Sequence, residues 1–288
     1  MQVEVHIVNA FTQQGKGGNP AAIVLDADNL SISHKQEIAA KAGLSETAFV
    51  SSSTIADIRL EFFTPTRQIA HCGHATIATF AYLKHQGTFT QATQATKETI
   101  AIDGIRQIRF LQDTVYMEQK APHYTFPEAS DLPIIYRSLG LSQYYTLKPA
   151  LVNTGNTFLI LEVSEVAVLQ HITPNFERIA AISEKYNLVG YYVFAKSQQP
   201  GIDATTRMFA PLYGIEEESA TGMAAGPLAA FLYQSGSRKE EYTIEQGRYM
   251  KQPSPSLIHI NLEIQDGQIE LLYVGGQATL AEKYTIEI

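Results

Sequence analysis

Residues able to carry acid–base or nucleophilic chemistry gather at a few places in this sequence. His71-Cys72-Gly73-His74 opens a small-residue helical run, and Glu216-Glu217-Glu218 precedes Ala220-Thr221-Gly222-Met223, which opens a second. Glu46 stands alone in an apolar segment, Leu44-Ser45-Glu46-Thr47-Ala48-Phe49-Val50, where partial burial suits a carboxyl to proton transfer at neutral pH. His74 sits one residue into its helix, where an imidazole can donate or accept a proton. Cys72 lies at the same helix start, so it reads either as a thiol favoured as thiolate by the helix dipole or as an inert buried cysteine. Plainer readings stand beside the others as well: a surface carboxylate at Glu46, a core or capping histidine at His74, and a solvated acidic helix cap at Glu218.

Cys72 is the single cysteine of the chain. An intrachain disulfide framework and a tetracysteine metal site are therefore excluded, as is any mechanism with two protein thiols. A two-thiol racemase needs its second cysteine near Gly222, where the sequence reads Thr221-Gly222-Met223. The His-Cys pair has no second pair at finger-like spacing, so no metal is expected. No Gly-x-Gly-x-x-Gly follows a strand, and no Walker-type Gly-Lys-Ser/Thr or Gly-x-Ser-x-Gly elbow is present, so a nucleotide cofactor is unsupported.

These residues need elements to position them. Val3 to Val8 reads as a strand, followed by a Gly-rich loop from Phe11 to Asn19 and a second apolar run, Ala21 to Leu25. Ser33 reads as the N-cap of a helix over Lys35 to Ala42, stopped by Gly43. Strands follow at Thr47 to Val50 and Ile58 to Phe63, then a helix from Gly73 to Gln86 closed by Gly87. Further strands are expected at Thr99 to Ile102, Ile105 to Leu111 and Thr114 to Glu118, before a proline-containing stretch between Pro122 and Pro133 that marks a domain boundary.

An internal repeat organises the chain. Arg59 to Pro65 has a counterpart in Thr205 to Pro211 at an offset of 146, while Gly73, Ala81, Leu83 and Gly87 match Gly222, Ala230, Leu232 and Gly236 at an offset of 149. Each half thus holds strand, proline, loop, glycine, small-residue helix and glycine, with a loop three residues longer in the second. A cleft between two such copies sees both helix N-termini, whose unpaired N–H groups at Gly73 and Gly222 are suited to hold a carboxylate. Close helix packing is the alternative use of both glycines.

Composition narrows the class. The chain has 288 residues, 45% hydrophobic and 17% charged, which is a globular balance rather than a disordered one. A net charge of −8, with no dense Lys/Arg window, makes nucleic acid a poor partner. No apolar run approaches the roughly eighteen residues of a membrane span. The opening Met1-Gln2-Val3-Glu4 lacks the basic-then-apolar pattern of a secretory signal, so a cytoplasmic protein without membrane contact is expected.

At this point the order of motifs resembles the PhzF-like family, the phenazine-biosynthesis relatives of diaminopimelate epimerase. The match runs nearly end to end: Phe11-Thr12 with Gly18-Asn19-Pro20, Leu44 to Val50, Phe63-Thr64-Pro65, Cys72-Gly73-His74-Ala75-Thr76, Val152-Asn153-Thr154-Gly155, Phe209-Ala210-Pro211, Thr221-Gly222, Gln246-Gly247 and Val274-Gly275-Gly276. The resemblance implies an α+β fold of two similar domains, each a β-barrel-like sheet around a central helix, and a homodimer. The first domain is expected over residues 1–118 with about 277–288, the second over 119–276, and the active site in the cleft between them. It further implies cofactor-free isomerisation of a small carboxylic acid of the dihydro-hydroxyanthranilate type. Glu46 would move the proton, His74 and Glu218 would assist, and Asn19, Cys72, Gly73, Thr221, Gly222 and Met223 would line the substrate site.

The sequence departs from the family pattern in places. Glu218-Ser219 replaces the common Asp-Pro, giving an acid one methylene longer on a less rigid turn. Met223 replaces a small hydroxyl residue, which makes the pocket more apolar or smaller, and Gln68 stands where an acid is frequent. Two rivals to the isomerase reading remain: an amino-acid racemase or epimerase with Glu218 as returning base, and a non-catalytic protein that binds small acids on the same fold.

Overall fold

The computed structural model describes residues 1–99, 104–142 and 147–288. The chain forms two units, one of residues 1–118 and 275–288, the other of residues 119–274. Both are mixed α+β, and both wrap a barrel-like sheet around one buried helix.

The first unit contains β1 (Gln2–Thr12), β2 (Asn19–Val24), α1 (Ile32–Ala42), β3 (Thr47–Ser51), β4 (Ile58–Phe63), β5 (Gln68–Ile69), α2 (Gly73–His85), β6 (Gln94–Thr99), β7 (Ile105–Leu111) and the start of β8 (Thr114–Lys120). β1 runs antiparallel to β2, with Ile7 opposite Ala22. β2 is parallel to β3 and β3 antiparallel to β4. The chain returns from β4 to its parallel neighbour β6 by way of α2, the long crossover that a parallel pair requires. β6, β7 and β8 form an antiparallel meander in which buried and half-exposed residues alternate along β7.

The second unit contains β9 (His123–Thr125), α3 (Leu132–Ser138), β10 (Ala150–Asn153), β11 (Thr157–Glu162), α4 (Val166–Gln170), α5 (Phe176–Tyr186), β12 (Gly190–Lys196), β13 (Ala204–Ala210), β14 (Ile215–Glu218), α6 (Gly222–Leu232), β15 (Glu241–Gln246), β16 (Ser256–Gln265) and the start of β17 (Gln268–Glu287). The later part of β17 belongs to the first unit, where it runs antiparallel to β1 and pairs with β8. Gly275 is needed there, because a β-carbon would stand 2.2 Å from the Val115 carbonyl oxygen.

The duplication is visible in the hydrogen bonding. β10 and β11 are antiparallel, β11 and β12 parallel, β12 and β13 antiparallel, β13 and β15 parallel, β15 and β16 antiparallel. This is the order of β1, β2, β3, β4, β6 and β7. The registers also correspond: Leu60 faces Thr99, and Thr206 faces Gln246. Phe62 faces Ile69, and Met208 faces Glu218. The three extra residues of the second copy therefore fall between Phe209 and Glu217.

The central helices are apolar nearly all round, as helices enclosed by a sheet must be. All eleven residues of α6 are buried, and α2 buries every residue from Gly73 to Phe80. α5 is instead amphipathic, presenting Ile179 and Ile182 to a core shared with α3 and β12.

Some local expectations need correction. Phe11 and Thr12 continue β1 instead of starting a loop; Phe11 is buried with a positive φ of 62°, at the irregularity in the β1–β17 pairing. α1 starts earlier than expected, with Ser31 and not Ser33 accepting the capping bond, from the His34 N–H at 3.1 Å. β6 begins at Gln94, and residues 100–102 of the strand expected from Thr99 lie outside the described residues. Its inward positions are Ala95, Lys97 and Thr99, too polar a set to read as a core strand from pattern alone.

Candidate active site

In the first unit the backbone brings Glu46 to the start of α2. α1 stops at Gly43, and the Glu46 carbonyl accepts the Ala22 N–H at 3.1 Å, so the residue is anchored to β2 just before β3 begins. Cys72 is the N-cap of α2, and its carbonyl accepts from the Thr76 N–H at 3.2 Å and the Thr76 hydroxyl at 2.7 Å. Glu46 Oε2 lies 3.3 Å from His74 Nε2, and His74 Nδ1 lies 3.5 Å from Cys72 Sγ. The imidazole thus stands between a carboxyl and a thiol. All three side chains are buried, Glu46 to 7% residual exposure, and Glu46 Oε2 accepts no hydrogen bond from the described residues. Their ligand-type atoms all lie within 4.8 Å of one another.

This arrangement can move a proton. A buried carboxyl oxygen that accepts no hydrogen bond from its surroundings is open to a donor or a reacting proton on a ligand. The adjacent imidazole can supply or accept that proton. Gly73 begins α2 with no side chain over the helix N-terminus, where N–H groups can hold a developing negative charge. Asn19 is also buried, at the head of β2 opposite Ala10.

In the second unit, Glu218 ends β14 and accepts a hydrogen bond from the Thr221 hydroxyl. Gln246 holds this turn from the end of β15. Its Nε2 donates to the Glu218 carbonyl at 2.7 Å and to Thr221 Oγ at 3.0 Å, while its Oε1 accepts from the Thr221 N–H at 3.0 Å and the Tyr192 hydroxyl at 2.9 Å. Burial, reinforced by the charge of Glu218, holds the Tyr192 phenol well above its ordinary pKa, so it remains a donor at neutral pH. Gly247 must be glycine, since its φ is +82° and a β-carbon would stand 2.6 Å from the Ser219 carbonyl. Gly222 opens α6, and Gln119 Nε2 donates to its carbonyl at 3.0 Å and lies 3.7 Å from Met223 Sδ. Met223 is buried, as a bulky apolar residue at this position should be.

The registers show what each copy kept. Glu46, Cys72 and His74 correspond to Gly190, Thr221 and Met223, while Glu218 corresponds to Ile69. The carboxyl–imidazole–thiol set thus exists only in the first copy. Sequence reasoning assigned no role to Gln246 or Gln119; the Gln-Gly pair at 246–247, with its obligatory glycine, was the available signal for the former.

The duplicated α+β barrel is a fold shared with PhzF-family proteins and with a hydroxyproline epimerase. Residues 8–283 match the model of the PhzC-PhzF phenazine biosynthesis-like proteins, and the chain belongs to that family. It is 31% identical over 296 residues to an uncharacterized isomerase, YddE, of Escherichia coli K12, covering 97% of each chain. It is 28% identical to the trans-2,3-dihydro-3-hydroxyanthranilate isomerase of Pseudomonas chlororaphis, covering 97% of this chain and 98% of that one. The crystal structure of a PhzF-family phenazine biosynthesis protein from Bacillus anthracis superposes with a TM-score of 0.89 at 27% identity, with full coverage of both chains. Relatives named as isomerases along the whole chain make this an isomerase-type enzyme. Among the described residues no helix is long and apolar enough to cross a membrane.

Proposed function

We propose that this protein is a cofactor-independent isomerase that shifts a proton on a small carboxylic acid, with Glu46 as the general base and acid. The observation that carries the reading is the buried Glu46 Oε2, which accepts no hydrogen bond from the described residues and lies 3.3 Å from His74 Nε2. Glu46 takes a proton from a carbon next to an activating group, the electron pair moves into the adjoining π system, and Glu46, its carboxyl proton exchanging with solvent, delivers a proton to another carbon. No net charge or electron is gained. His74 holds or relays the proton at Nε2, and the N–H groups at the start of α2 stabilise the carboxylate and the developing anion.

The Pseudomonas chlororaphis relative, named for a cyclic hydroxylated amino acid, supports a substrate of that chemical type. The presence of Gly190 where the first copy has Glu46 supports a single carboxyl base in preference to a symmetric pair of racemase bases.

The test is incubation in deuterated water with trans-2,3-dihydro-3-hydroxyanthranilate and a panel of small carboxylic and amino acids, followed by mass spectrometry and proton NMR. An isomerised product that carries label, lost with Glu46→Gln, is expected. Exchange confined to one carbon with inversion there would mean a racemase. Binding without exchange in both proteins would mean a non-catalytic acid-binding protein.

A further inference from the structure

We propose that Glu46, Cys72 and His74 also form a binding site for one borderline-soft divalent cation of the zinc class, and that its occupancy blocks proton transfer. The second half of this statement rests on the function proposed above; the first does not. Among the described residues, this is the group of His, Cys and carboxylate side chains whose ligand atoms converge, all within 4.8 Å of one another. In a tetrahedral zinc site, metal–ligand bonds of about 2.0–2.3 Å set ligand atoms roughly 3.3–3.8 Å apart. Glu46 Oε2 and His74 Nε2 already stand at 3.3 Å, the spacing of two such corners, and Cys72 Sγ, which lies 3.5 Å from the other ring nitrogen, Nδ1, takes the third when the imidazole turns so that one nitrogen faces both partners.

The donor set of one carboxylate oxygen, one thiolate and one imidazole nitrogen is the mixture zinc takes, and three protein ligands leave a fourth position for water or a substrate carboxylate. Calcium and magnesium, which need six or more oxygen donors, have no such set here. A second observation points the same way: Glu46 is 7% exposed, and its Oε2 accepts no hydrogen bond from the described residues. A cation would satisfy that oxygen. Binding forms the metal–sulfur bond as the thiol proton leaves to solvent, with no redox change. The carboxyl then coordinates metal and cannot carry a proton, so the isomerase stops.

The sequence search for paired ligand spacing could not find this site. Its third ligand comes from the residue just before β3, far ahead of the His-Cys segment, and only the fold brings it to α2.

The experiment uses the full chain without an affinity tag. Cobalt(II) is titrated as a spectroscopic probe and zinc is measured by competition with a chromophoric chelator, against wild type, Cys72→Ser and His74→Gln, with circular dichroism to confirm folding. One cobalt per chain with a thiolate-to-metal charge-transfer band is expected, and each substitution should weaken zinc binding at least tenfold, with the band absent in Cys72→Ser. No thiolate band in the wild type, or zinc binding unchanged in a folded Cys72→Ser, overturns the site. Exchange activity should fall in proportion to zinc bound and return with chelator; activity persisting at full occupancy overturns the blockade. Metal binding as expected, in a protein that exchanges no proton on any acid, would sink the isomerase reading while leaving the site standing.

Discussion

Replacing Gln246 by leucine isolates the energetics of the second helix start. Gln246 is fully buried and makes bonds to the Glu218 carbonyl, the Thr221 N–H, the Thr221 hydroxyl and the Tyr192 hydroxyl. Leucine keeps nearly the same volume and removes all four. Two partners have somewhere to turn: Thr221 still donates to Glu218, and Tyr192 Oη lies 3.1 Å from Thr206 Oγ. The Thr221 N–H and the Glu218 carbonyl are left without this partner. At about 1–3 kcal/mol for a buried donor that loses its acceptor, the Thr221 N–H alone sets a loss of about 1–3 kcal/mol. The chain contains no tryptophan, so unfolding is followed by far-UV circular dichroism in urea, with hydrogen exchange read over residues 218–224. A lower midpoint at an unchanged slope, and faster exchange confined to that segment, are expected. A loss below about 0.5 kcal/mol would refute the claim that Gln246 organises this turn, because even one orphaned group costs more.

Glu46→Gln should lower proton exchange by about 10²- to 10⁴-fold, the usual range for removing a general base, with little change in melting temperature; retained turnover would dismiss Glu46 as the base. Gly226→Ala places a β-carbon 2.1 Å from Gln119 Oε1, the atom that accepts from Thr154 Oγ at 2.8 Å. Alanine's better helix propensity, about 1 kcal/mol, should be outweighed by overpacking of about 1–3 kcal/mol, so urea unfolding should show net destabilisation, not a gain. His6 and His259 have pKa values lowered from 6.5, chiefly by burial. The unfolded chain therefore binds more protons near and below pH 6.5, so stability is full above that pH and declines as pH falls through the folded values. Urea midpoints between about pH 7.5 and 5 should show this decline, and His259→Gln should make it shallower; an identical slope would remove His259 from the account.

Much of the architecture was legible because it is written in local and periodic features. The strands Thr47–Ser51 and Ile58–Phe63, the α2 helix and the repeat at offsets of 146 and 149 all come from patterns within a few residues or from direct self-similarity. The register of β4 with β6 and of β13 with β15 then gives that repeat its structural meaning. β6 escaped because its inward face is Ala95, Lys97 and Thr99, and the α1 cap moved because Ser31 and Ser33 offer the same hydroxyl two residues apart.

By itself, the sequence determined the duplicated α+β class, the single thiol, the absence of a second cysteine beside Gly222 and the polar and glycine residues that open both central helices. Tertiary structure alone decided which of these meet. Glu46 reaches His74 because β3 and α2 are joined through one closed sheet, and Gln246 reaches Thr221 because β15 lies beside β13, on which β14 is also paired. Hydrophobic periodicity specifies which face of an element is buried, but it carries no information on the partner across a distant strand pairing. That is set only when the barrel closes and every buried polar group must find its bond.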